Sequence, residues 1–128
     1  MNKSPSITSP REVPSPREVV VAFNNAWDAH DLDAVLALVS EGCVFESARV
    51  GANGPQIVGR DALRSAWAPG FANPNSSGGF TYDEIIVAGD RVVQLWTYSM
   101  GDKAVRGVDV MRVESGEITE KFGYVKVV

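Results

Sequence analysis

Val105-Arg106-Gly107-Val108-Asp109-Val110-Met111-Arg112-Val113, then Glu114-Ser115-Gly116-Glu117, then Ile118 to Val128: this closing stretch decides the fold. It reads as a strand, a turn and a second strand. Asp109 stands mid-strand between Val108 and Val110. A carboxylate there is costly unless it is solvated, paired or kept neutral, and Asp is depleted in strands. Its presence predicts a lined cavity rather than a solid core. Strand parity groups Val105, Gly107, Asp109, Met111 and Val113 on one face. A turn at Gly116 sets Asp109 opposite Gly123 and Met111 opposite Lys121. Gly123 leaves space beside Asp109, and Lys121 is diagonal to it, within reach of a long side chain. Two states follow. With Lys121 bent toward it, Asp109 is an ionised potential base. With Lys121 turned to the cavity mouth, apolar walls favour the acid form, which donates a hydrogen bond. A structural carboxylate, bonded to Arg106, Lys121 or a backbone amide, is the plainer alternative.

The same period of two runs backward through Phe80–Ala88, Arg91–Met100 and Ala104–Val113, joined by Gly89-Asp90 and by Gly101-Asp102-Lys103. Short links imply successive antiparallel hairpins. Before them the period changes. Ser15-Pro16-Arg17-Glu18 has the form of a capping box with Pro at the first helical position. It opens a helix to about Ala29, with Val20, Phe23, Asn24, Trp27 and His30 near one face. Asp31 caps a second helix to about Val39, which Gly42 ends. Cys43–Arg49 and Gln56–Val58 read as strands. Gly59-Arg60-Asp61 opens a third, shorter helix bearing Leu63, Ala66 and Trp67, stopped at Pro69-Gly70. Residues 1–14, rich in Ser and Pro, form a disordered tail ahead of a single domain over 15–128. Helices first and a meander afterwards give an α+β fold: a curved mixed or antiparallel sheet, cone-shaped, with three helices on its concave face enclosing a pocket.

The chain has 128 residues and a formal net charge of -4. With basic residues scattered, this argues against nucleic acid as a partner. No apolar run approaches a membrane span, and the N-terminus lacks a secretory core. One cysteine, Cys43, fits a cytoplasmic location and reads as a small buried residue. One His and one Cys offer no tetrahedral metal set. No Gly-rich phosphate loop follows a strand, so no cofactor is implied.

The order of elements, the phrase Gly107 to Val113 followed by Gly116-Glu117-Ile118, the helix-turn-helix at residues 26–39 (AWDAHDLDAVLALV), the strand at 43–47 (CVFES) and the helix start at 58–67 (VGRDALRSAW) together resemble the nuclear transport factor 2-like superfamily. The closest groups are its SnoaL-like and ketosteroid-isomerase-like branches, over about residues 16–128. The resemblance implies the cone and a choice among isomerase, cyclase, hydrolase, dehydratase and binding roles, because fold does not fix function. Asp109 falls on the oxyanion-hole acid of the steroid isomerases. Their hole tyrosine falls on Phe23, and their base on Ser47, preceded by Glu46. The last-strand acid of the epoxide hydrolases of this fold falls on Gly123. For the acid of the cyclases this strand offers Glu120.

The leading expectation is a cofactor-free pocket enzyme acting on a small or medium apolar organic molecule. Asp109 would be acid/base or oxyanion donor, and Lys121 its tuning partner. Phe23, Trp27, Ser47, Trp67, Met111 and Gly123 would form the substrate-binding wall. The alternatives are a binding module without turnover and an assembly domain. An apolar outer sheet face carrying Trp96 and Tyr98, joined by Phe122 and Tyr124, predicts a homodimer.

Overall fold

Three helices, the first two with side-chain caps, precede an uninterrupted meander. The computed structural model describes residues 13–48, 56–73 and 79–126. The expected disordered tail lies almost wholly outside them. Helix α1 (Pro16–Asp28) begins at a complete capping box. Glu18 N donates to Ser15 Oγ at 3.2 Å, and Ser15 N donates to Glu18 Oε1 at 2.8 Å. Two of the orphan amides of a helix start are thereby satisfied. Helix α2 (Leu32–Ala37) is capped by Asp31, whose Oδ1 accepts from Ala34 N at 3.1 Å. It is shorter than expected, because Val39 already pairs with Ile118 as the first residue of strand β1 (Val39–Glu46). Gly42 therefore lies inside the strand, where the pairing register shifts between Val39 and Val44, and does not end a helix. Strand β2 (Ile57–Val58) precedes helix α3 (Arg60–Ala72). Pro69 does not stop α3 but sits within it. A proline in a last turn removes one helical hydrogen bond, and Phe71 beyond it packs edge-on against Trp27, centroids 4.8 Å apart.

Strands β3 (Gly79–Ala88), β4 (Arg91–Met100), β5 (Lys103–Glu114) and β6 (Glu117–Val125) follow. The six-stranded sheet has the order β2-β1-β6-β5-β4-β3. Only the β1–β6 pair is parallel; the rest is antiparallel. Besides the shift in β1, two bulges change the facing of side chains along their strands. In β3 the register shifts between Tyr82 and Glu84. In β6 it shifts between Ile118, opposite Val113, and Glu120, opposite Arg112, leaving Thr119 as the extra residue. The tight turn itself pairs Glu114 with Glu117, with Ser115 and Gly116 both at positive φ. Without the bulge, that turn would carry Phe122 to Asp109. With it, Asp109 faces Gly123 and Met111 faces Lys121.

One assignment is corrected here. Trp96 and Tyr98 belong to the concave face, not the outer one. The β4–β5 link is two residues, Gly101-Asp102, with Met100 opposite Lys103; a three-residue link would shift the register by one and exchange faces. Gln94 thus opposes Asp109, and Trp96 opposes Gly107. The outer face of β4–β6 carries Val93, Val110 and Phe122 in one row and Leu95, Val108 and Tyr124 in the next.

At the closed end, Val19, Val20 and Phe23 of α1, Val35 and Leu36 of α2 and Leu63 and Trp67 of α3 pack on Val92, Met111, Val113 and Ile118 of the sheet. Cys43 joins this core at 1% exposure. Among the described residues no helix is long and apolar enough to cross a membrane.

Candidate functional site

Above the core the helices and sheet diverge around a cavity of about 930 Å³, within the range of small-molecule sites. Its helical wall is aromatic: Phe23, Trp27, Trp67 and Phe71 form a contiguous, mostly edge-to-face cluster with Phe45 of β1. Across from it, Phe80 contacts Tyr82, Trp96 and Tyr98 on the sheet. Gly107 makes room for one of these rings, since a Cβ at that position would fall inside the Trp96 indole.

The polar centre lies on β4, β5 and β6. Asp109 is 7% exposed. Its Oδ2 accepts from Lys121 Nζ at 3.3 Å and from Gln94 Nε2 at 3.2 Å. Gln94 is itself held by Asn24 of α1: Asn24 Nδ2 donates to Gln94 Oε1 at 2.5 Å, and Gln94 Nε2 donates to Asn24 Oδ1 at 3.3 Å. This reciprocal amide pair commits the Gln94 carbonyl to Asn24 and leaves an N–H for Asp109. Both neighbours of the carboxyl are donors, the arrangement that suits a carboxylate. The Lys121 ammonium also sits 5.6 Å from the ring centroids of both Phe23 and Phe45, a shielded setting in which cation–π attraction adds to the ion pair. Gly123 is required beside this pair: a Cβ there would stand 3.2 Å from Asp109 Oδ1 and 2.9 Å from the backbone nitrogen of Ala48.

Of the residues expected from sequence, Asp109, Lys121, Phe23, Trp27, Ser47, Trp67 and Gly123 all border the cavity. Met111 does not; it is fully buried in the core, one pleat from Asp109 toward the closed end. Glu46 reaches the cavity edge, where its Oε2 accepts from Gln56 Nε2 at 2.7 Å. Glu120 is bound elsewhere, to Arg91 at 3.0 Å and Arg112 at 3.8 Å. Among the described residues no group of three or more His, Cys, Asp or Glu side chains could hold a metal ion.

Sequence reasoning missed Gln94, although the signal that exposed Asp109 was present: a polar side chain inside the apolar run Val92-Val93-Gln94-Leu95-Trp96. It also missed the second polar pair, in which Tyr82 Oη donates to Asp28 Oδ1 at 3.1 Å. Burial, then the charge of Asp28 and the hydrogen bond to it, then the charge of Asp109, push the Tyr82 phenol upward, so the hydroxyl keeps its proton. No local pattern joins positions 28 and 82.

Burial likewise pushes the Cys43 thiol up to about 11, with Lys121 opposing and Glu120 reinforcing the shift. The native protein should resist alkylation by iodoacetamide at pH 8 and react promptly once unfolded in urea. Prompt labelling of the folded protein would show that β1 opens. The folded thiol holds its proton to about 11 while the unfolded one releases it near 9.0, so stability falls as pH rises between these values.

A family model described as the SnoaL-like domain matches residues 20–121. No curated protein matches the chain. Among solved structures, a nuclear transport factor 2-like protein of unknown function from Mesorhizobium loti is similar at 37% identity and a TM-score of 0.74, covering 88% of this chain and 91% of its own. A counterpart from Burkholderia xenovorans is 20% identical with a TM-score of 0.71, covering 88% and 84%. A steroid delta-isomerase from Pseudomonas aeruginosa is 16% identical with a TM-score of 0.69, covering 88% and 80%. The last two likenesses are of fold alone.

Proposed function

Because the chain belongs to the SnoaL-like domain family within the nuclear transport factor 2-like superfamily, we propose that it is a pocket enzyme for a small, mainly apolar organic molecule, with Asp109 as proton acceptor. The supporting observation is the Asp109–Lys121 pair, set in the wall of a cavity rich in aromatic side chains. A carboxylate in such a place can take a proton from carbon or from a hydroxyl, provided the substrate comes within hydrogen-bond reach. The Lys121 ammonium, 3.3 Å away, is a donor for oxygen charge that develops as the proton leaves, and a water-poor wall strengthens that contact. Asn24 and Gln94 hold Asp109 in place, and Phe23, Trp27 and Trp67 enclose the apolar body. Isomerisation, cyclisation, dehydration and hydrolysis all use this pair of functions. The steroid-isomerase residue set is incomplete, since Phe23 has no hydroxyl and Ser47 is a poor base.

A non-catalytic binding module is the second reading. It is favoured by one feature: protein donors from Gln94 and Lys121 already engage Asp109 Oδ2. A thermal-shift ligand screen followed by turnover assays on wild type and Asp109→Asn separates the two. The enzyme reading expects a compound that binds both proteins and is consumed roughly 10²–10⁴-fold more slowly by the variant. Hits bound equally by both and consumed by neither would leave the binding module.

The outer face, with Phe122 and the 51%-exposed Tyr124 among its apolar residues, is proposed as a homodimer contact. The single buried thiol suits a reducing cytoplasm.

A further inference from the structure

Taking the cavity as a ligand site, we infer that its preferred ligand carries a positive charge: an alkylated ammonium group on an apolar body, seated beside Asp28 and Tyr82. The charges on the wall point this way. Among the described lining residues the carboxylates are Asp28, Glu46 and Asp109, and the basic side chains are Lys121 and the His30 imidazole, which packs against Phe71. Lys121 is already committed to Asp109 and covered by two rings. An anionic ligand would therefore find no uncommitted ammonium or guanidinium among these residues, and would face the carboxylates of Asp28 and Glu46.

The backbone adds to the same field. Asp28 is the last residue of α1, and neither α1 nor α3 has a basic residue in its last turn. Gly70 and Phe71, near the end of α3, also line the cavity. Two helix carboxyl ends, each a partial negative charge, thus meet the site with no Lys or Arg in their last turns, His30 just past the α1 cap being the next basic side chain along the chain. Tyr82 stays a protonated phenol, so it donates to Asp28 and adds no charge of its own. The rings supply the other half of recognition. Trp27 stands one residue before Asp28, stacks on Phe23 and meets Trp67 and Phe71 edge-on, and π faces attract an alkylammonium while burying its methyl groups. Asn24 and Asp28 are one helical turn apart on the same face of α1, roughly 6 Å along the axis. A ligand cation at Asp28 thereby leaves the adjoining part of its body beside Asp109, which Asn24 approaches through Gln94.

The test is calorimetric titration with three probes of one shape: phenyltrimethylammonium, its neutral isostere tert-butylbenzene, and benzenesulfonate. The expected result is binding of the cation at least about tenfold tighter than the isostere, with benzenesulfonate weakest. Asp28→Asn should cut the cation's advantage several-fold and leave the affinity of tert-butylbenzene unchanged. If tert-butylbenzene binds as tightly as the cation, or benzenesulfonate binds best, the cation inference is overturned while the small-molecule pocket stands. If the cation's advantage is the same in Asp28→Asn, its seat beside Asp28 is overturned. If none of the three binds, both the inference and the pocket reading fail.

Discussion

Lys121→Met is expected to lower the unfolding free energy by about 3–5 kcal/mol, and adding Asp109→Leu to that variant is expected to restore most of the loss. The two side chains are only 14% and 10% exposed. Each charge therefore depends on the other for the solvation it gives up on folding. Removing the cation alone leaves a carboxylate with Gln94 as its main remaining donor, amid Phe23, Phe45 and the core. Removing both leaves Met and Leu, which pack well there, and Gln94 keeps Asn24 as a partner. A double-mutant cycle in urea measures this directly. Strongly non-additive losses, with coupling of about 2 kcal/mol or more, are the expected outcome. Additive losses would mean that the pair is solvated in solution and that Asp109 does not stand on a water-poor wall.

The second large effect concerns a residue with no side chain. Gly107→Val is expected to destabilise the fold by about 1–3 kcal/mol or more and to change the shape of the cavity. A Cβ at 107 would meet both the Trp96 indole and the backbone carbonyl oxygen of Tyr124. Rotating the indole relieves only the first conflict, so β5 and β6 must also separate. Trp96 is 6% exposed, and its displacement should redshift the tryptophan emission. Gly107→Val with Trp96→Leu should regain part of the loss. An unchanged melting temperature and spectrum for Gly107→Val would show that Trp96 does not rest on β5.

The closing hairpin was readable because its evidence is local. Asp109 between two valines, Gly123 and Lys121 in the next strand, and a turn centred on Gly116 set the carboxylate, its space and its partner on one face, a register that the tighter Ser115-Gly116 turn reaches only through the Thr119 bulge, which no local signal announced. The α1 cap at Ser15 and Glu18 was readable for the same reason. Trp96 was placed on the wrong face because the register there depends on whether Lys103 belongs to the turn or to the strand. One residue of loop length decides the facing of a whole strand. Met111 shares the inward face with Asp109, but strand parity does not say at what depth the core gives way to the cavity. The Asn24–Gln94 and Asp28–Tyr82 pairs join positions far apart in sequence, whose meeting depends on how α1 crosses the sheet. No spacing rule encodes that crossing.

Thr119 carries a consequence for how this site can change over generations. Point substitutions in β6 alter which group meets the ligand, one group at a time. Loss of the Thr119 codon would only remove the extra residue and leave Gly123 opposite Asp109, but gain of one codon just after it would slide the rest of the strand by one step past β5, so that Phe122 replaces Gly123 opposite Asp109 and Lys121 turns away. An insertion there would swap the site's ammonium for a benzyl group in one event. Lineages that carry one residue more at this point should therefore differ in ligand chemistry more sharply than their percentage identity suggests, and lineages that carry one residue fewer should not.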